Sequence, residues 1–235
     1  MWTAVLYGVA ASSSLVIGAA IGARWSPPAQ LTRVLLAFAS GALISALAFE
    51  LFEDSFQLGG PLRSGLGLLA GAAAFILIDC LLERRVQNQG SSAAKGGVGL
   101  VLLAAVTLDG VPENLALGVT LVGGASLSLL VAIFFSNLPE ALAGSVSMRK
   151  GGMSPVAVMA TWTVCAVLLA AAVVIGRAAA GGLRPEVVAI ALAFAGGAVL
   201  ASVADTLMPE AFEHGRPLNA FATAGGFFLS YVLSA

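Results

Sequence analysis

Two stretches decide how this chain is read: Leu35–Phe56, LLAFASGALISALAFELFEDSF, and Ala191–Phe212, ALAFAGGAVLASVADTLMPEAF. They align without a gap at an offset of 156 residues. Leu36, Ala37, Phe38, Ala39, Gly41, Ala42, Ala48, Leu51 and Phe56 recur as Leu192, Ala193, Phe194, Ala195, Gly197, Ala198, Ala204, Leu207 and Phe212. A gapless match of this length points to a duplicated unit rather than to two helices made alike by Ala and Gly bias. Each stretch is also about 20 residues long, what a helix needs to cross the hydrocarbon core of a bilayer.

The composition extends that reading to the whole chain. Of 235 residues, 59% are hydrophobic and 10% charged, with a mean hydropathy of +1.00. A soluble protein carries about 25% charged residues. Apolar runs recur at about 2–23, 34–52, 65–82, 98–120, 126–148, 155–177, 187–208 and 218–235, separated by Gly, Pro and charged punctuation. The expected fold is therefore an all-α polytopic membrane protein: eight spans in one domain covering residues 1–235, with the lipid bilayer as its partner. A net charge of −1 offers no basic face for nucleic acid. Cys80 and Cys165 form no CxxC and imply no disulfide, so they read as small buried residues.

Basic residues orient the spans. The connections after the first, third, fifth and seventh runs hold Arg24, Arg33, Arg84, Arg85, Lys95, Arg149, Lys150 and Arg216, against Arg63, Arg177 and Arg184 on the other side. The richer side belongs in the cytoplasm, which puts both termini outside the cell (inner) membrane. The second run then points outward and the seventh inward. The duplicated units are thus inverted, giving a 3+2+3 plan with spans 1–3 and 6–8 flanking the fourth and fifth. Inverted repeats are characteristic of transporters that alternate access to a site near the membrane midplane.

The central pair of spans carries the polar chemistry. LDGVPENL (Leu108–Leu115) and SNLPEAL (Ser136–Leu142) match each other at an offset of 27. Asp109 and Glu113 are four apart, and Asn137 and Glu140 three apart, so each pair shares a helix face. Opposed across a helix interface, they would bring together three carboxylates and an amide oxygen. Pro112 and Pro139 cannot donate to the carbonyls of Leu108 and Phe135 and are expected to kink their helices. A freed carbonyl in lipid is tolerated where it lines a polar cavity, and beside a carboxylate it makes a cation site. An intramembrane charge costs about 2.5–3.5 kcal/mol on insertion scales, so three of them require compensation.

On these residues the chain resembles the ZIP family of divalent metal transporters. DGVPEN and NLPEA are similar to the two Pro-Glu metal-binding motifs in that family's fourth and fifth spans. FASGALISALAFELFED and FAGGAVLASVADTLMPEAFEHG resemble its second and seventh spans, and Asp79 in FILIDCLLERR its third-span aspartate. The resemblance runs in order along the whole chain. It implies an eight-helix fold, a homodimer, and a metal site between the fourth, fifth and sixth spans. It also implies that spans 1, 4, 5 and 6 move against a scaffold of 2, 3, 7 and 8. Carried over position by position, the ligands are Asp109, Glu113, Asn137 and Glu140, with Ser136 a weaker one.

The departures bear on which metal is carried. Asp109-Gly110 stands where the family has His-Asn, Ser136-Asn137 where the fifth span commonly opens with His, and the sixth span offers only Thr161, Thr163 and Cys165. Gly110 removes a ligand. Zinc sites favour nitrogen and sulfur, whereas carboxylates, an amide and a hydroxyl suit harder ions. The expected cargo is a divalent cation, Zn²⁺, Mn²⁺ or Fe²⁺, with no organic cofactor.

Two outlying groups could form a path. Glu50, Glu53 and Asp54, at the outer end of the second span, would concentrate cations at the entrance. Asp205, Glu210, Glu213 and His214 at the inner end of the seventh, with Asp79, would form the exit. Two other classes compete: a transport-deficient sensor or structural membrane protein, and an intramembrane enzyme using paired carboxylates. The absence of HExxH and GxSxG in the sequence disfavours the enzyme. The protein is read as a permease and not an enzyme.

Overall fold

The computed structural model describes residues 1–88, 97–213 and 217–234. Among them every regular element is a helix: α1 (Trp2–Gly22), α2 (Ala29–Ala46), α3 (Glu53–Asn88), α4 (Gly97–Thr120), α5 (Leu127–Lys150), α6 (Pro155–Ala180), α7 (Pro185–Ser202), α8 (Met208–Phe212) and α9 (Leu218–Ser234). Five helical stretches among the described residues are long and apolar enough to cross a membrane. The surface agrees with that medium. Leu62, Leu66, Leu69, Val156, Val167, Phe221 and Phe228 project outward, while Ser12, Ser14, Ser40, Ser45 and Ser145 are buried with Ala and Gly. Between helices in lipid, small residues allow the close backbone approach on which association depends. Cys165 is buried, but Cys80, read as buried from its apolar setting, is exposed on α3. In a chain whose outer faces are apolar, an apolar neighbourhood in sequence does not distinguish inside from outside.

The helices overrun the apolar runs. α2 starts at Ala29, and its line continues through a π-helical turn, Leu47–Phe52, into α3. α7 likewise continues through a π-helical turn, Val203–Leu207, into α8. Hydropathy registers only the lipid-facing part of such a helix. Within α3 the path breaks at Gly60, whose φ of 73° suits glycine, and Pro61 restarts the helix. Ser64 Oγ donates to the Gly60 carbonyl (3.0 Å), and Ser55 Oγ donates to Ser64 (2.8 Å) or to the Ala189 carbonyl of α7 (2.8 Å).

The closest helix crossings are made by glycines. A methyl on Gly41 of α2 would collide with the Thr223 carbonyl of α9, and one on Gly226 with the Phe38 carbonyl of α2. The α7–α3 crossing is built the same way, Gly197 facing the Leu68 carbonyl and Gly71 the Phe194 carbonyl. Gly41 and Gly197, and Phe38 and Phe194, are 156 residues apart, while Leu68 and Thr223, and Gly71 and Gly226, are 155 apart. Elsewhere Gly22 of α1 sits on the Leu142 carbonyl of α5, and Gly176 of α6 on the Leu115 carbonyl of α4. Packing is most extensive between α3 and α7, between α2 and α9, and among α1, α4, α5 and α6. These sets meet along α2–α5 and α4–α7.

Candidate functional site

Both Pro-Glu motifs lie well inside their helices, and α4 and α5 remain helical through Pro112 and Pro139. Neither proline breaks its helix. Asp109 and Glu113 stand one turn apart on α4. Glu113 is 4% exposed, Ser136 and Asn137 are 1% exposed, and Asp109 and Glu140 are half-buried.

The structure pairs these side chains across helices. Ser136 Oγ of α5 is 3.5 Å from Glu113 Oε2 of α4 and 3.3 Å from its own helix's Ile133 carbonyl. Ser202 Oγ of α7 donates to Asp109 Oδ1 at 2.9 Å. Glu140 lies within electrostatic reach of Asp109, Glu113 and Glu210, and Asp109 within reach of Asp79. Among the described residues, no Lys or Arg forms an ion pair with Asp109, Glu113 or Glu140, the one ion pair being Arg33–Glu213 (3.4 Å) at the surface. Like charges at this depth repel strongly unless a cation or protons neutralise them. The donor set consists of carboxylates, an amide and a hydroxyl, which suits a hard divalent ion. In this conformation no three His, Cys, Asp or Glu side chains among the described residues are close enough to share one metal. Asp109 is instead turned toward α7, and Glu113 toward Ser136.

A cavity of about 300 Å³ opens from the site. It is lined by Asp109 and Glu140 together with Ser147, Trp162, Thr206 and Glu210. It connects Asp109 and Glu140 with the π turn that follows α7. Near the other end of α5 a second cavity, about 620 Å³, is lined by Glu50, Asp54, Gln57, Thr120 and Ser126, with Ser234 of α9. Of the outlying acids, Glu50 and Asp54 thus face one cavity and Glu210 the other. Glu53 is exposed and bonded by Gln57 (3.2 Å), Glu213 pairs with Arg33, Asp205 is exposed and Asp79 half-buried. His214 lies outside the described residues.

Three participants had escaped the sequence. Ser202 carries no signal there, because serine in an apolar helix usually bonds back to its own turn. Trp162 forms the α6 wall where a ligand was sought, with its ring against Gly144 of α5. Asn114 is fully buried and its amide donates to the Gly110 carbonyl (2.8 Å), a role that an Asn beside Glu113 could have suggested. Gly110 itself has a packing reason: a Cβ there would stand 2.6 Å from Leu169 Cδ1 of α6. No protein-family model matches the chain, and none of the curated proteins matches it in sequence.

Proposed function

We propose that the protein is a ZIP-like permease that carries a divalent cation toward the cytoplasm through the site formed by Asp109, Glu113, Ser136, Asn137 and Glu140. The observation that carries this reading is the set of three carboxylates, Asp109, Glu113 and Glu140, mutually within electrostatic reach and without a basic partner among the described residues, two of which, Asp109 and Glu140, line a cavity that leads to Glu210. A cation supplies the charge that the site lacks. Zn²⁺, Mn²⁺ and Fe²⁺ are the cargo, with the oxygen-rich donors favouring Mn²⁺ or Fe²⁺.

The same reading takes the chain as eight spans in a 3+2+3 inverted repeat within the inner membrane, both termini outside, acting as a homodimer. The glycine crossings support the repeat, since α2 on α9 and α7 on α3 use corresponding residues. The mutual packing of α1, α4, α5 and α6 supports reading them as the moving set, with α2, α3, α7 and α9 as the scaffold. Reconstituted into liposomes, the protein is expected to take up Mn²⁺ or Zn²⁺, with uptake lost in the Glu113→Ala/Glu140→Ala variant. Uptake that persists in the double variant removes these residues as ligands.

A second reading, a metal sensor that no longer conducts, draws on Trp162 standing where a sixth-span ligand was sought. Metal binding by the purified protein with no uptake into liposomes would favour it.

A further inference from the structure

The connection between α6 and α7 is short, yet the two helices scarcely touch, and α4 packs against both. Between them runs a cleft of about 550 Å³, floored by α4 and lined almost wholly by apolar atoms. It extends along α4 from Val111 to Val119 and along α7 from Val187 to Ala195, about 12 Å in each case. Spread over that length, 550 Å³ leaves a cross-section of roughly 46 Å², about half of what a helix 10–12 Å across occupies. Leu183, Val187, Ile190 and Phe194 of its lining are exposed. The cleft is thus too narrow for a helix, has room for a hydrocarbon chain, and opens on a face that the bilayer covers.

One end of the cleft is basic. Ala180 and Leu183 line that end, and Arg177 and Arg184 flank them in sequence. Arg177 stands three residues before the end of α6, its Nη1 3.2 Å from where a Cβ on Gly181 would lie. Arg184 is exposed at the N-cap of α7. Neither forms an ion pair among the described residues. From Gly176 to Val188 the one acid is Glu186, half-buried in the first turn of α7. The dipole of α6 favours a cation at its C-terminus and so accounts for Arg177. It does not account for Arg184, since a helix N-terminus disfavours a cation and attracts an anion.

We infer that the cleft holds one acyl chain of an anionic phospholipid, with the lipid phosphate on Arg177 and Arg184. Lipid tails are as apolar as the leucine and valine side chains of the cleft, so burying the chain there selects no lipid over another. Selection comes from the headgroup, where each basic residue near a membrane surface favours an anionic lipid by about fivefold. The inference rests on the bilayer setting and not on the transport reading. It also puts the chain against Pro112 in the floor of the cleft, one residue from Glu113.

The test is photolabelling of the full chain in phosphatidylcholine nanodiscs, followed by peptide mapping. The probe is a trace of phosphatidylglycerol, or of phosphatidylcholine, bearing a diazirine on its acyl chain. The phosphatidylglycerol probe is expected to label the α4, α6 and α7 segments around the cleft at least about fivefold more than the phosphatidylcholine probe. Arg177→Gln/Arg184→Gln is expected to abolish that preference. Ala179→Trp, which fills the cleft from an exposed position, is expected to remove labelling there by both probes and to leave other helices labelled. Equal labelling by the two probes, a preference that survives the double Arg variant, or cleft labelling untouched by Ala179→Trp overturns the inference. So does a disulfide between copies through Ile190→Cys in a Cys80→Ser/Cys165→Ala background, because a second copy then covers the cleft.

Discussion

At the scale of single residues, the site is shaped as much by what glycine permits as by what carboxylates bind. Gly110 displaces the ligand that the family resemblance supplies, yet it also lets α4 approach Leu169 of α6. Gly144 does the same for α5 against the Trp162 ring, where a Cβ would lie 2.5 Å from the ring carbon Cζ2. The two neighbours differ in compliance. A leucine methyl at the end of a side chain yields, whereas a rigid indole ring that is 2% exposed does not. Gly110→Ala is therefore expected to cost about 1 kcal/mol and Gly144→Ala about 2–3 kcal/mol. Thermal melting of the detergent-solubilised variants checks the order, and a Gly110→Ala that melts well below Gly144→Ala contradicts it.

At the scale of elements, the crossings of α2 with α9 and of α7 with α3 make the strongest demand on sequence. In both, a glycine lets a carbonyl of the neighbouring helix sit where a methyl group would be. Backbone cannot move aside as a leucine can, so Gly41→Ala and Gly197→Ala are each expected to destabilise by about 3 kcal/mol. They are expected to do so alike, because they occupy corresponding positions. Melting temperatures that fall for one and not the other would show that the crossings are not equivalent. The α2–α7 relation was legible in the sequence, since it lies in one gapless match. The α3–α9 relation was not, because its offset is 155 and its residues, apart from Gly71 and Gly226, do not stand out. The π turns were equally hidden: nothing in LAFELF or VADTL departs from ordinary apolar helix with one acid in it.

At the scale of the whole molecule, helical class and bilayer setting followed from hydropathy alone, because the cost of unsatisfied backbone in lipid leaves a single-chain apolar protein few alternatives. The Pro-Glu residues were legible because polar groups in an apolar run are rare and costly. Their grouping was not. Spacing places Asp109 with Glu113 on one face of α4, but tertiary contacts send Asp109 toward Ser202 and Glu113 toward Ser136. The proposed transport requires that a divalent cation bind between these carboxylates. A crystal of the protein soaked in Mn²⁺, with anomalous scattering used to locate the ion, tests it most directly. An anomalous peak is expected within ligand distance of Glu113 and Glu140, absent from the Glu113→Ala/Glu140→Ala variant. Peaks confined to surface acids such as Glu53 and Glu213, or a midplane peak unchanged in the variant, would contradict it.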